Sequence, residues 1–253
     1  MTIGVPSWPP LLASCGPGTR SSPHSHHAMH FVVAAAGELE VRSGGATIAV
    51  PGVVTAPDVS HALDAHDREI LLVFIDPESD AGAALSAALD HPIRGPVRAL
   101  DAATRSALYT RDAMALMQGE GEAWIRTAIA RLGIAVSAPR PPLHPRVRRV
   151  LRHLRQLSPG GDTSLEALAE VAQLSPGRLM HTFTESVGIP LRPYLAWLRL
   201  QRAAGEITRG TPLSSAAAAS GFSDAAHMSR TFRRMLGMAP SMLQPPRAAL
   251  ARS

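Results

Sequence analysis

Five histidines stand in a pattern suited to holding a metal ion. His24, His26, His27 and His30 crowd one short segment, and His61 follows Pro57-Asp-Val-Ser. Neutral imidazole is a good ligand for zinc, nickel, cobalt, iron or copper. On an extended strand, side chains repeat every two residues, which puts His24, His26 and His30 on one face and His27 on the other. A later strand bearing His61 can return beside them, so His24, His26, His30 and His61 form the candidate ligand set. The same imidazoles could instead line a pocket for an organic effector or hydrogen-bond within the fold. His27, His66 and Cys15 are weaker candidates.

A second chemistry lies near the C-terminus. Leu213-SSAAAASGF followed by Ser223-DAAHMSRTFRRMLGMAP reads as a short alanine-rich helix, a tight turn and a second helix. The second helix has an apolar seam (Met228, Phe232, Leu236) and an outer face rich in arginine, with Gly237 as its stop. That is a helix-turn-helix, whose second helix fits the DNA major groove. An imperfect copy lies about fifty residues upstream in Leu165-EALAEVAQLSPGRLMHTFTESVGIP. There Ser164 and Ser175 are predicted N-caps, Pro176 takes the first helical position, and Leu179, Phe183 and Val187 form the seam. Between the copies, Leu191 to Arg209 reads as one helix roughly 28 Å long at 1.5 Å per residue. Successive major-groove positions on one face of B-DNA are roughly 34 Å apart. The spacing predicts that one chain can address two neighbouring grooves.

These residues resemble the AraC/XylS family of transcription regulators. The resemblance covers Arg146 to about Leu243, with LAEVAQLSPGRLMHTFTESVGIPLRPYLAWLRLQRA and SGFSDAAHMSRTFRRMLGMAP at its core. It implies that Ala225, Ala226, Ser229 and Arg230 face base edges in the second unit. Arginine suits guanine and an alanine methyl suits thymine. Arg233 and Arg234 suit phosphate, which gives affinity without sequence information. In the first unit the outward donors are Arg178 and His181. Gln173 stands where the family usually has a turn glycine, and Met242-Leu243 replaces the usual tyrosine-arginine. Weaker, more shape-dependent readout by this unit is the expectation. The histidine pattern is similar to the paired motifs of cupin barrels, often fused to this DNA-binding family, with His30 where metal-binding cupins carry an acid.

Elements must position both sets. From Phe31 to Ile75 short alternating segments (Leu39-EVR, ATIAV, VVTA, ILLVFI) separated by turns such as Gly44-Gly45 predict a small β-barrel or sandwich. Helical periodicity takes over at 79–90, 101–118 and 121–133. SAPRPPLHP at 137–145 reads as a semi-rigid linker. The expected fold is two-domain α+β: a cupin-like barrel with connector helices over 1–136, the linker, and an all-α double helix-turn-helix domain over 146–253.

Charge follows this division. Residues 146–253 hold 15 arginines against 6 acidic residues, and residues 1–145 hold 10 against 14. A basic half on an acidic half suits a polyanion-binding module tethered to something else. All 25 basic residues are arginine. Apolar content of 45% excludes a disordered or fibrous class. A single cysteine excludes an internal disulfide. The N-terminus, broken by Pro6, Pro9 and Pro10, does not read as a signal peptide, and the longest apolar run, Ile70 to Ile75, cannot span a bilayer. A cytoplasmic location is expected. The sequence therefore predicts a non-enzymatic, DNA-binding transcriptional regulator that senses a metal ion or small molecule. Its partners are double-stranded DNA, a second copy of the chain and, for an activator, RNA polymerase. A metal-dependent cupin enzyme of dioxygenase type with a DNA-localising tail is the alternative.

Overall fold

A computed structural model describes residues 11–79, 82, 85, 86, 89, 96–133, 143–158, 160–236 and 239–244. Internal contacts divide the chain into two compact units, one built from Pro10–Arg140 and the other mainly from Pro141–Phe232. The predicted helix at 79–90 and linker at 137–145 lie largely outside the described residues, and Gly237 lies wholly outside them.

Eight described strands make up the first unit: β1 (Leu11–Pro17), β2 (Met29–Ala34), β3 (Leu39–Ser43), β4 (Ala46–Val50), β5 (Gly52–Thr55), β6 (Ala62–Asp64), β7 (Glu69–Ile75) and β8 (Val97–Leu100). They form a five-stranded antiparallel sheet in the order β1-β7-β2-β5-β8 and a three-stranded sheet in the order β4-β3-β6. The closed barrel expected from the sequence is corrected to two separate sheets. The physical reason is strand partitioning: among the described residues β3 pairs with β4 and β6, and no ladder joins that trio to the larger sheet. Gly44 and Gly45 (φ 57° and 80°) supply the left-handed pair that a two-residue β3–β4 hairpin requires.

The period-two pleat gives the larger sheet two apolar faces. Met29, Phe31 and Val33 of β2 join Leu71, Val73 and Ile75 of β7 in a core shared with Leu108, Trp124, Ile125 and Ala128. Those last residues come from α1 (Ala102–Leu108) and α2 (Gly121–Arg131). On the opposite face Val32, Ala34, Val53 and Ile70 pack with Leu39, Val41 and Leu63 of the smaller sheet. The helix predicted over 101–118 is broken at Tyr109, whose backbone is extended, and restarts where the Asp112 carboxylate accepts from the Ala115 N–H. Trp124 donates its indole N–H to the Leu108 carbonyl at 2.7 Å, closing α1 onto α2.

The second unit is helical: α3 (Pro145–Gln156), α4 (Leu165–Ala172), α5 (Pro176–Val187), α6 (Leu191–Thr208), α7 (Leu213–Ala219) and α8 (Ala225–Leu236). Val147, Val150 and Leu154 of α3, Leu168 of α4, Phe183 of α5 and Tyr194 of α6 form one core. The other side of α6 buries Trp197, Leu200, Ala203, Ala204 and Ile207. Its 18 residues span about 27 Å. No described helix is long and apolar enough to cross a membrane.

The predicted caps form. Ser164 accepts from Ala167 N–H and Ser175 from Arg178 N–H. Gly188 ends α5 in the left-handed region at φ 94°. Gln173 ends α4 in the same region (φ 54°, ψ 47°), where a β-carbon costs about 1–2 kcal/mol. Arg146 offsets part of that cost, donating to the carbonyls of Ala172 (3.1 Å) and Gln173 (2.6 Å). Urea unfolding of Gln173→Gly should show an unchanged or higher midpoint, and Gln173→Val a loss of about 1–2 kcal/mol. A valine variant as stable as the parent would contradict the left-handed turn.

Candidate metal centre and nucleic-acid interface

The histidines converge, though not as one strand face. Only His30 lies on β2; His24 and His26 sit in the preceding loop. His24 forms an isolated antiparallel bridge with His61, with backbone N–H···O distances of 3.0 and 2.9 Å. Asp58 N–H donates to the His26 carbonyl at 2.9 Å, so the loop carrying His61 is tied down at two points. One ring nitrogen from each of His24, His26 and His61 lies within 4.8 Å of the other two, and all three side chains are buried.

The tautomers follow from the hydrogen bonds. Nδ1 of His24 lies 2.8 Å from the Ser22 carbonyl, Nδ1 of His26 3.1 Å from that of Ala28, and Nδ1 of His61 2.8 Å from that of Val59. A carbonyl only accepts, so each Nδ1 carries the proton and each Nε2 keeps its lone pair, as in histidines oriented for metal by an outer layer of carbonyls. His30 lies beside this trio but outside it, with Nδ1 3.4 Å from His61 Nε2. Its ring stacks on Phe74 with centroids 4.3 Å apart and planes 5° from parallel. Phe74 is its cross-strand partner on β7. Nε2 of His24 and of His30 is buried without a hydrogen-bond partner. A bound cation would satisfy such atoms, so the residues present fit a transition metal.

Electrostatics keep the cluster neutral. Burial, and then the neighbouring imidazoles, hold His26 and His30 well below the usual histidine range. Burial also lowers His24, and burial with His24 beside it lowers His61 to about 4. His27 behaves oppositely. Burial alone would lower it, but Asp58 at 2.7 Å and Glu78 at 3.0 Å outweigh that and raise it to about 9. Glu78 is itself pushed up to about 7 by burial, with Asp76 adding to the effect. Sequence spacing gave no hint of this Asp58–His27–Glu78 network. Of the weaker candidates, His66 lies 3.5 Å from Asp64 and Cys15 is 3.8 Å from the Tyr109 hydroxyl. Neither joins the cluster.

The helix-turn-helix faces are exposed. On α5, Arg178 and His181 face solvent beside Met180, which is 48% exposed. His181 is engaged by Glu185, one turn on, at 3.1 Å, so the face pairs its imidazole with a carboxylate. In the second unit the turn passes through Gly221 at φ 78°. The Asp224 carboxylate accepts from His227 N–H at 2.6 Å, which lowers its pKa and caps α8. Ala226, Arg230, Arg233 and Arg234 are exposed on α8. Ala225 and Ser229 are half-buried, the serine hydroxyl donating to the Ala225 carbonyl at 2.8 Å. Among the described residues no carboxylate is ion-paired with Arg178, Arg230, Arg233 or Arg234. Among the described residues the second helix pair thus offers three guanidinium groups outside any ion pair, and the first offers Arg178.

A pH dependence follows from the histidines. Groups held below their unfolded-state value of about 6.5 bind fewer protons folded than unfolded at acidic pH. Their contribution is fully present above about pH 6.5 and is lost as pH falls through the folded value, about 4 for His61. Chelator-treated protein should lose stability between those limits. His61→Gln should make that acid limb shallower by about one proton. Superimposable limbs would contradict a neutral, buried His61.

Residues 168–244 match a family described as a helix-turn-helix domain. The chain is 32% identical over 122 residues to the HTH-type transcriptional regulator RipA of Corynebacterium glutamicum, covering 48% of this chain and 37% of that one. It is 29% identical over 105 residues to the arabinose operon regulatory protein of Escherichia coli, covering 40% and 35%. The chain thus matches little more than a third of each relative's length. In fold it is similar to ToxT of Vibrio cholerae. An unsaturated fatty acid-bound ToxT structure aligns at TM-score 0.55 and 13% identity, covering 91% of this chain and 93% of ToxT. An apo ToxT structure aligns at TM-score 0.56 and 10% identity, covering 92% and 96%. Two capped helix pairs on a shared helix and the domain match converge: this chain carries a helix-turn-helix domain, similar in sequence to part of the arabinose operon regulatory protein.

Proposed function

We propose that the chain is a sequence-specific transcriptional regulator whose N-terminal unit takes a divalent transition-metal ion as its effector. One observation carries the metal assignment: three buried imidazoles, each with Nδ1 beside a backbone carbonyl, each bring one ring nitrogen within 4.8 Å of the other two. His24, His26 and His61 would hold the ion, and His30, pinned by Phe74, stands as a fourth donor. An all-nitrogen set suits zinc, nickel, cobalt, iron or copper over magnesium or calcium. The bound ion would supply positive charge to a buried site, joining the loop of His24 and His26 to the segment that enters β6. An organic effector is the second reading. It is favoured by the likeness in fold to ToxT, one of whose structures holds an unsaturated fatty acid. The histidine cluster supports it less well, because its donors already point at one another.

On DNA, Arg230 is assigned to a base edge with Ala225, Ala226 and Ser229 beside it, and Arg233 and Arg234 to phosphate. Arg178 and His181 would read from the first unit, where the His181–Glu185 pair weakens the field offered to phosphate. The partners proposed with this function are a second copy of the chain and, for an activator, RNA polymerase, and the proposed place is the cytoplasm. We assign no catalytic role, and turnover of a small acid with oxygen would favour the cupin-enzyme alternative.

Protein purified without a histidine tag or chelating resin should carry about one equivalent of metal by elemental analysis, and the His24→Ala/His61→Ala variant essentially none. Equal metal content in both would remove the metal assignment and leave the DNA-binding one standing. Arg230→Ala should weaken binding to a selected operator by about 1–3 kcal/mol and relax preference at one base pair. An unchanged ratio of operator to random-duplex affinity would show that Arg230 reads no base.

A further inference from the structure

Two arginines on α6 are half-buried without a counter-charge. Arg199 and Arg202 are three residues apart and share a helix face. Arg202 donates to the carbonyls of Leu154 (2.8 Å) and Leu157 (3.1 Å), at the end of α3. Arg199 donates to the Thr163 hydroxyl at 3.1 Å. Among the described residues neither is ion-paired with a carboxylate. They are close enough that Arg199 adds to burial in lowering the pKa of Arg202.

Both line a cavity of about 200 Å³ with Gly160, Gly161, Thr163, Ser220 and Gly221. That volume holds several waters or one tetrahedral oxyanion. Ser220 is 2% exposed, and its hydroxyl is buried without a hydrogen-bond partner. Gly221 turns left-handed at φ 78°, and a β-carbon there would come within 3.6 Å of Arg199 Nε. The left-handed backbone is what favours glycine here, and a β-carbon would make only ordinary van der Waals contact with Arg199. The cavity thus offers cationic and hydroxyl donors with no acidic side chain among the described lining residues.

We propose that this cavity is an oxyanion site for a phosphate group, set between the end of α3, the shared helix α6 and the turn of the second helix-turn-helix. Free inorganic phosphate and a phosphate of the DNA backbone present the same chemistry. An occupant would bridge Arg199 and Ser220 and tie the second unit's turn to the shared helix.

The test titrates the full chain with sodium phosphate at fixed ionic strength and pH, with chloride as the control anion. For free phosphate, calorimetry should show saturable binding of one anion per chain. That binding should be about tenfold weaker in Arg199→Gln and clearly weaker in Ser220→Ala, a variant too conservative to disturb the helix. For a DNA phosphate, free anion should not saturate. Instead, Arg199→Gln should reduce by about one the slope of log affinity against log salt for a random-sequence duplex. No saturable phosphate binding together with an unchanged salt slope would overturn the site. Duplex binding by the parent chain is measured in the same series, so loss of DNA binding itself would be seen separately.

Discussion

The register of β2 against β7 governs the first unit. With Phe31 opposite Val73 and His30 opposite Phe74, the pleat sends alternate pairs to opposite faces of the larger sheet. Phe31 and Val73 go to the helices, where Trp124 meets Phe31 edge-on at 5.1 Å. His30 and Phe74 go to the other face, where the loop of His24 and His26 and the approach to β6 bring in three more imidazoles. A slip of one residue would exchange the two sets, putting an imidazole into the helical core and an aromatic core residue into the polar cluster. The histidine geometry is therefore as secure as the apolar packing on the reverse side of the same strands.

The second unit depends on a helix with two buried sides. Leu191, Tyr194 and Leu198 of α6 complete the core of the first helix pair, while Trp197, Leu200, Ala203, Ala204 and Ile207 are buried on its other side. Ala203 and Ala204, both fully buried, are the small residues that this packed face admits. Arg199 and Arg202 lie along the same helix, bonding to Thr163 and to the carbonyls that end α3. Apolar contact and arginine hydrogen bonds thus join the parts of this unit through one element.

Local signals carried well into structure and long-range ones did not. Serines 164 and 175, Pro176 and Gly188 mark helix ends by chemistry that acts within four residues, and they mark them here. The seam of Leu179, Phe183 and Val187 is equally local, being a matter of helical period. The gathering of His24, His26, His30 and His61 was legible as a set of residue types, but its construction was not. Only tertiary pairing shows that His24 bridges His61 and that three carbonyls fix the rings. The closed barrel failed for the same reason, because strand partners are chosen across the chain. Glu78 lies 51 residues from His27, and no periodicity reveals a partner at that separation. Pairing of His181 with Glu185 was readable from its spacing of four, a helical neighbour relation.

A helix packed on both sides also constrains how such a module can be recombined. Cutting the chain between its two helix pairs would strip one side of α6 and expose tryptophan and leucine to water. The transplantable cassette is therefore the whole span from Pro145 to Leu243, whose last turn packs on α6 with Leu243 buried. Chimaeras that alter recognition should keep that scaffold whole and exchange only outward-facing side chains on α5 and α8.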